Sequence, residues 1–216
     1  MVATLSKNVG TCFGCNKIFN YKEINKHLNS CVKTTKFDLK TANSIEIFRV
    51  KVFAGNIFWL YIEMSAIAPL QVLDEFLRII WVECCEHLSQ FATNGVACNM
   101  NDPINKLFKK GSEFSYEYDF GSTTYLKGKV IDQYQGTLKK DIRLLARNNM
   151  PKLKCRICSM KPTAICSVCY ELYCKKCVKR HNCDEELISS VVNSPRMGIC
   201  GYDGMEDKDD LKQFLP

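Results

Sequence analysis

Residues 44 to 64 read SIEIFRVKVFAGNIFWLYIEM, two apolar-rich runs on either side of Gly55-Asn56. Ile45, Ile47, Val50 and Val52 fall out of step near Phe48, and Gly-Asn is a hairpin composition, so the pattern predicts two strands with an irregularity in the first. The stretch PLQVLDEFLRIIWVECCEHLSQF follows. It puts Leu70, Leu73, Phe76, Leu77, Ile80, Trp81 and Cys84 at helical spacing behind Pro69, which suits a helix start. That stripe predicts a helix covering a sheet, and Cys84 and Cys85 need no catalytic role in it. Phe114, Tyr116 and Tyr118 alternate up to Gly121, and Tyr125, Leu126, Val130 and Ile131 resume beyond it, as two antiparallel strands would around a Gly-Ser turn. Together these elements predict an α+β domain over residues 40–147, a mixed sheet with a covering helix.

Cysteine changes the picture outside that domain. The run CRICSMKPTAICSVCYELYCKKCVKRHNC begins at Cys155 with the spacing C-x2-C-x7-C-x2-C-x4-C-x2-C-x3-H-x-C. A two-residue gap lets both thiolates of a pair reach one tetrahedral ion, and eight ligands supply two ions. Sequential pairing is one connectivity. The alternating one puts Cys155, Cys158, Cys174 and Cys177 on one ion and Cys166, Cys169, His181 and Cys183 on the other, stapling a segment whose own core would be Ile157, Ile165, Val168, Leu172 and Tyr173. Full ligand sets leave no open metal position, so structural Zn2+ is expected over residues 152–192. A second pattern, C-x2-C-x11-H-x3-C, supplies Cys12, Cys15, His27 and Cys31 within residues 1–36. His27 and Cys31 would share a helix face beginning near Tyr21 or Lys22, above Phe19, Ile24 and Leu28. Three zinc ions and two small zinc-stabilised modules are therefore expected. Cys200 reads equally as a reserve metal ligand or a structural thiol, in a tail, 193–216, that is either a strap or flexible.

Clustered C-x2-C pairs point to a reducing compartment, and the start of the chain has no apolar run of the secretory kind, so a cytoplasmic location is expected. FLRIIWVECC is too short and too charged to cross a bilayer, and no membrane association is expected. The formal charge of +7 suggests an anionic partner. A four-thiolate zinc site carries −2 and a site of three thiolates and a histidine −1, so the three sites remove 4 and leave about +3, a weak basic signal. Lys17, Lys22, Asn25, Lys26, Lys33 and Lys36 on and after the finger could touch phosphates or simply face solvent. KKDIRLLARNNMPKLKC would place Lys140, Arg143 and Arg147 along one helical face as a basic stripe, without the aromatics of a single-strand groove.

Three resemblances follow from these motifs. The spacing from Cys155 to Cys183 resembles cross-braced zinc fingers of the HIT and MYND type, more loosely B-box modules, which implies protein contacts. The first cluster resembles a ββα finger of the C2HC type, which standing alone would cover only about three base pairs. Trp81, the His-Leu-x-x-Phe of His87 to Phe91 and the Tyr-Asp-Phe-Gly of Tyr118 to Gly121 resemble the plasmid pRiA4b ORF-3-like family over residues 42 to 145. That resemblance implies a fold found in mobile-element-associated and stand-alone proteins, and implies no activity. DFG alone, without a Gly-rich loop and HRD, is not a kinase signature. The expected function is a noncatalytic zinc-binding interaction protein whose partner is protein or nucleic acid. The alternative is a hydrolase or nuclease using His87 and Asp119, with Glu86, Ser89 and Tyr118 close by in sequence.

Overall fold

The computed structural model describes residues 8–31, 44–204 and 211–216; Lys33 and Lys36 lie outside them. The chain opens with β1 (Val9–Cys12) and β2 (Ile18–Asn20), followed by α1 (Ile24–Ser30). Asn20 Oδ1 accepts the amides of Lys22 and Glu23 at 3.0 and 3.1 Å, which makes 21–23 a turn and delays the helix to Ile24. Ile24 and Leu28, one helical turn apart, are fully buried.

A hairpin of β3 (Ile45–Ala54) and β4 (Phe58–Ser65) follows, turning at Gly55, whose φ of +53° suits glycine. Next come α2 (Leu70–Leu77), β5 (Ser89–Thr93), β6 (Val96–Ala97), the short α3 (Ile104–Leu107), β7 (Glu113–Tyr118), β8 (Thr124–Gly136) and β9 (Ile142–Asn148). The order β2-β1-β9-β4-β3-β8-β7-β5-β6 forms one nine-stranded sheet. Every pairing in it is antiparallel, where a mixed sheet was expected. A parallel pair needs a long crossover between neighbours, and α2 instead joins β4 to β5, which are not neighbours. The irregularity expected near Phe48 is a register shift between Arg49 and Val50 against β8. Gly128 of β8 lies under the Phe114 ring, where a Cβ would come within 1.9 Å of Cζ.

The sheet is packed on both faces. Leu60, Ile62 and Met64 of β4 look toward α2, where Leu70, Leu73, Phe76 and Leu77 are buried. The helix then widens into a π turn over Arg78–Val82, which buries Ile80, Trp81 and Val82 in succession, more than a 3.6-residue stripe permits. Trp59 and Tyr61, the alternate residues of β4, face α1 and share its small core with Leu145 and Ala146. The finger is thereby fused to the sheet, β1 pairing with β9 through Gly10 to Cys12. On the same side Arg49 donates to Asn29 at 2.7 Å and pairs with Glu63 at 3.3 Å, and Glu63 also takes Arg143 and the Tyr134 hydroxyl.

Strand β9 corrects the basic helical stripe. Its apolar residues, Ile142, Leu144, Leu145 and Ala146, are buried between β1 and β4, so this segment is an inner strand of the sheet. Arg143 is consumed by Glu63, and Arg147 by the Asn193 carbonyl and the Trp81 ring, 5.9 Å away. Burial lowers the Arg147 pKa to about 10.

A second small sheet, β11-β10-β12, is made from β10 (Ala164–Cys166), β11 (Leu172–Tyr173) and β12 (Ile188–Ser190). Ile165, Leu172 and Tyr173 form its interior, but Ile157 and Val168, expected there too, are each 55% exposed. The chain enters and leaves this module side by side: Asn148 Nδ2 donates to Asn193 Oδ1 and Asn193 Nδ2 to the Asn148 carbonyl, both at 2.8 Å. The exit continues as a strap that buries Ser194, Arg196 and Tyr202 against the large sheet. Residues 211–216 return to the main core, where Phe214 meets Phe76 edge-on at 4.9 Å.

Candidate metal centres

Each C-x2-C pair folds its own backbone around the first sulfur. Cys12 accepts amides from Gly14 and Cys15, Cys155 from Ile157 and Cys158, Cys166 from Val168 and Cys169, and Cys174 from Lys176 and Cys177. Three of the four loops share further geometry. The amides of Asn16, Ser159 and Tyr170 return to the carbonyls of Cys12, Cys155 and Cys166, and the amides of those cysteines reach Lys17, Met160 and Glu171. Asn16, Ser159 and Tyr170 all have φ between +56° and +60°, the turn that reverses a zinc knuckle. The fourth loop differs: Val178 returns to Cys174 and the chain runs on into a helical turn, Val178–Arg180.

These loops assemble three four-donor groups: Cys12, Cys15, His27 and Cys31; Cys155, Cys158, Cys174 and Cys177; and Cys166, Cys169, His181 and Cys183, with the donor atoms of each within 4.8 Å of one another. The grouping from Cys155 onward is the alternating one. Two thiolates about 2.3 Å from one tetrahedral ion stand about 3.8 Å apart, and a thiolate and an imidazole nitrogen about 3.6 Å. Cys12 and Cys31 are 3.9 Å apart, Cys158 lies 3.5 Å from Cys174 and 3.6 Å from Cys177, and Cys169 is 3.6 Å from His181 Nε2. Disulfides would be about 2 Å. The donor sets and separations suit Zn2+. Both imidazoles are braced by an aromatic ring, His27 stacking on Phe19 at 3.8 Å and His181 on Tyr173 at 4.4 Å. Burial opposes ionisation of Cys155, but its amide donors bring it down to about 6, while hydrogen bonding to Cys158 pushes Cys177 up to about 12.

A fourth group corrects the expected number of three. Cys84, Cys85, His87 and Cys200 also bring their donor atoms within 4.8 Å. No C-x2-C pair announces it, and 113 residues of sequence separate His87 from Cys200. Cys98 belongs to no group among the described residues and packs on the main core.

No family model and no curated protein matches the chain. Among solved structures it is similar to a protein of unknown function, MM3350, from Methanosarcina mazei Go1, at 13% identity and a TM-score of 0.40, over 47% of this chain and 67% of that one. That likeness carries no argument about function.

The candidate acid/base pair does meet, His87 Nε2 standing 3.6 Å from Asp119 Oδ2. Its carboxylate is already engaged. Arg196 donates to Oδ2 at 2.7 Å, while Gly121 and Ser122 donate to Oδ1 at 3.0 and 3.2 Å. These donors, Arg196 foremost, hold Asp119 well below the usual range, at about 2. A carboxylate so stabilised is a poor proton acceptor. Ser89 and Tyr118 are engaged as well, Ser89 donating to Asp74 at 2.6 Å and Tyr118 to Glu83 at 2.7 Å. No helix among the described residues is long and apolar enough to cross a membrane.

Proposed function

We propose that this chain is a noncatalytic zinc-binding protein in which a large sheet displays a finger and a cross-braced module to a protein partner. The observation that carries the reading is that each Cys/His group supplies four donors. An ion held there has its tetrahedral set filled by protein and keeps no position for a substrate or an activated water, which is the chemistry of a structural site. The choice of a protein partner rests on two further points. Arg143 and Arg147, two of the three cations of the expected linker stripe, are spent within the fold, and the finger presents only Lys17, Lys22 and Lys26. The knuckle tips of the cross-brace instead expose Ile157, Met160, Val168 and Tyr170, each more than half accessible. On the quoted Trp, His-Leu-x-x-Phe and Tyr-Asp-Phe-Gly positions, we also propose a relationship of residues 42 to 145 to the pRiA4b ORF-3-like family; two of those positions meet, the His87 amide donating to the Tyr118 hydroxyl at 3.3 Å.

The test is a titration of the zinc-loaded chain against mixed pools of duplex DNA, single-stranded DNA and RNA at several salt concentrations, with metal content measured on the same sample. The expected result is no saturable binding, even at low salt. Saturable binding that weakens steeply with salt and is reduced by Lys22→Ala and Lys26→Ala would replace the protein-partner reading with a nucleic-acid one.

A further inference from the structure

We propose that Cys84, Cys85, His87 and Cys200 form a fourth zinc site, different in kind from the knuckles, that latches the C-terminal strap onto the large sheet. It goes beyond the three centres written in the C-x2-C spacing. The donors come from two places: Cys84, Cys85 and His87 from the loop between the π turn and β5, and Cys200 from the strap. Cys200 Sγ lies 4.0 Å from Cys85 Sγ and 3.5 Å from His87 Nε2, the edge lengths of a tetrahedron around one zinc ion.

The loop carrying three of the ligands is preset by the sheet. The Tyr118 hydroxyl, on β7, receives the amides of Cys84 and His87 at 3.4 and 3.3 Å and donates to Glu83. Glu83 in turn takes the Glu86 amide at 2.6 Å and Arg78 at 2.6 Å, and Arg78 holds the His87 carbonyl at 2.8 Å. Glu86 and Cys200 both adopt positive φ, +57° and +52°, so each half of the site turns sharply at a ligand or beside one.

The strap also brings a donor to one of the sulfurs. Three thiolates and one Zn2+ leave the site at −1. Arg196, fully buried, donates from Nε to Cys84 Sγ at 3.3 Å, with its remaining nitrogens on Asp119, Thr124 and the Ser122 carbonyl. A buried N–H donor to a ligand sulfur is an outer-shell contact that orients the ligand, while the guanidinium's charge is taken by Asp119. Arg196 and Cys200 belong to the same strap, so the ligand and this outer-shell donor arrive together.

Exposure sets this site apart. Cys85 and Cys200 are exposed, and the group borders a 620 Å3 cavity lined by Ile79, Glu83 and Tyr202 among others. Solvent and small chelators reach the ion here more readily than at the buried Cys12 or Cys166. This site fills last and empties first, and emptying it frees the strap.

Native mass spectrometry of the full chain, paired with trypsin digestion read at the bond after Arg196, tests the latch. Wild type is expected to carry four zinc ions and to resist cleavage there. Brief treatment with a chelator should remove one ion first and expose Arg196. Cys200→Ser should hold three ions and be cut at that bond while its circular dichroism stays that of wild type, and Cys85→Ser, which leaves the strap sequence intact, should do the same. Wild type carrying three ions, or Cys200→Ser still carrying four, overturns the site. A two-dalton deficit in the denatured, unreduced mass overturns it in favour of a disulfide. Three ions in both variants with Arg196 still protected overturns the latch. Fewer than three ions in wild type would strike at the knuckle centres instead, a separate failure.

Discussion

Glu63 shows how one side chain ties two parts of the molecule. It is fully buried beside Arg49, itself 1% exposed, with Arg143 reaching in from β9 and Asn29 of the finger helix holding Arg49 from above. Removing one partner of a buried pair strands the other's charge, so Glu63→Ala should cost about 3 to 5 kcal/mol. The double variant Arg49→Met with Glu63→Leu should recover much of that, because the more exposed Arg143 can turn to solvent. Urea denaturation of the three proteins decides it, and equal losses in single and double variants would mean the charge pair is not the cause. None of this was legible beforehand: nothing in the alternation of β3 and β4 says that Arg49 and Glu63 are interior, and only the finger's packing over that face makes them so. The grouping of the knuckle cysteines was legible, because a two-residue spacer is itself the geometry that turns amides onto a sulfur.

Elements were read most accurately where one period dominated. The β3–β4 and β7–β8 hairpins follow from alternation and glycine turns, and α2 from its apolar stripe. The stripe failed to show that its end is a π turn, since Ile80, Trp81 and Val82 fit a helix until all three must be buried. Strand β9 was misread for a related reason. A strand packed on both faces loses alternation, and Lys140, Arg143 and Arg147 then mimic a helical charge pattern. In the small module, β10 carries Cys166 at its end, fully buried. Cys166→Ser should therefore release one ion and open residues 155 to 190 to proteases while the nine-stranded sheet keeps its own melting transition. Retention of a folded, metal-bearing module by that variant would show that the ions are ornaments on a stable core.

At the scale of the whole molecule, sequence spacing located the three local Cys/His groups and missed the one whose members are far apart in the chain. Cys84-Cys85 looks like the end of a core helix and Cys200 equally like a reserve metal ligand or a structural thiol, and nothing in either neighbourhood points to the other. Only the strap's return path, with Ser194 on the Trp81 carbonyl at 2.5 Å and Arg196 on Asp119, brings them together. The same path explains why Asp119 and His87 meet without forming an acid/base pair: the strap supplies the arginine that takes the carboxylate.

The paired asparagines at Asn148 and Asn193 give the cross-brace an unusual standing. Its two stalks are clasped at the base, so in architectural terms it is a graft on a closed circuit, and the circuit does not pass through the graft. Replacing residues 151 to 191 with a short Gly-Ser bridge should leave a chain that still folds, since the clasp needs a bridge only long enough to turn around. That shortened protein should carry two zinc ions by native mass spectrometry and melt as a single unit; collapse of the sheet on excision would show that the graft supports the trunk.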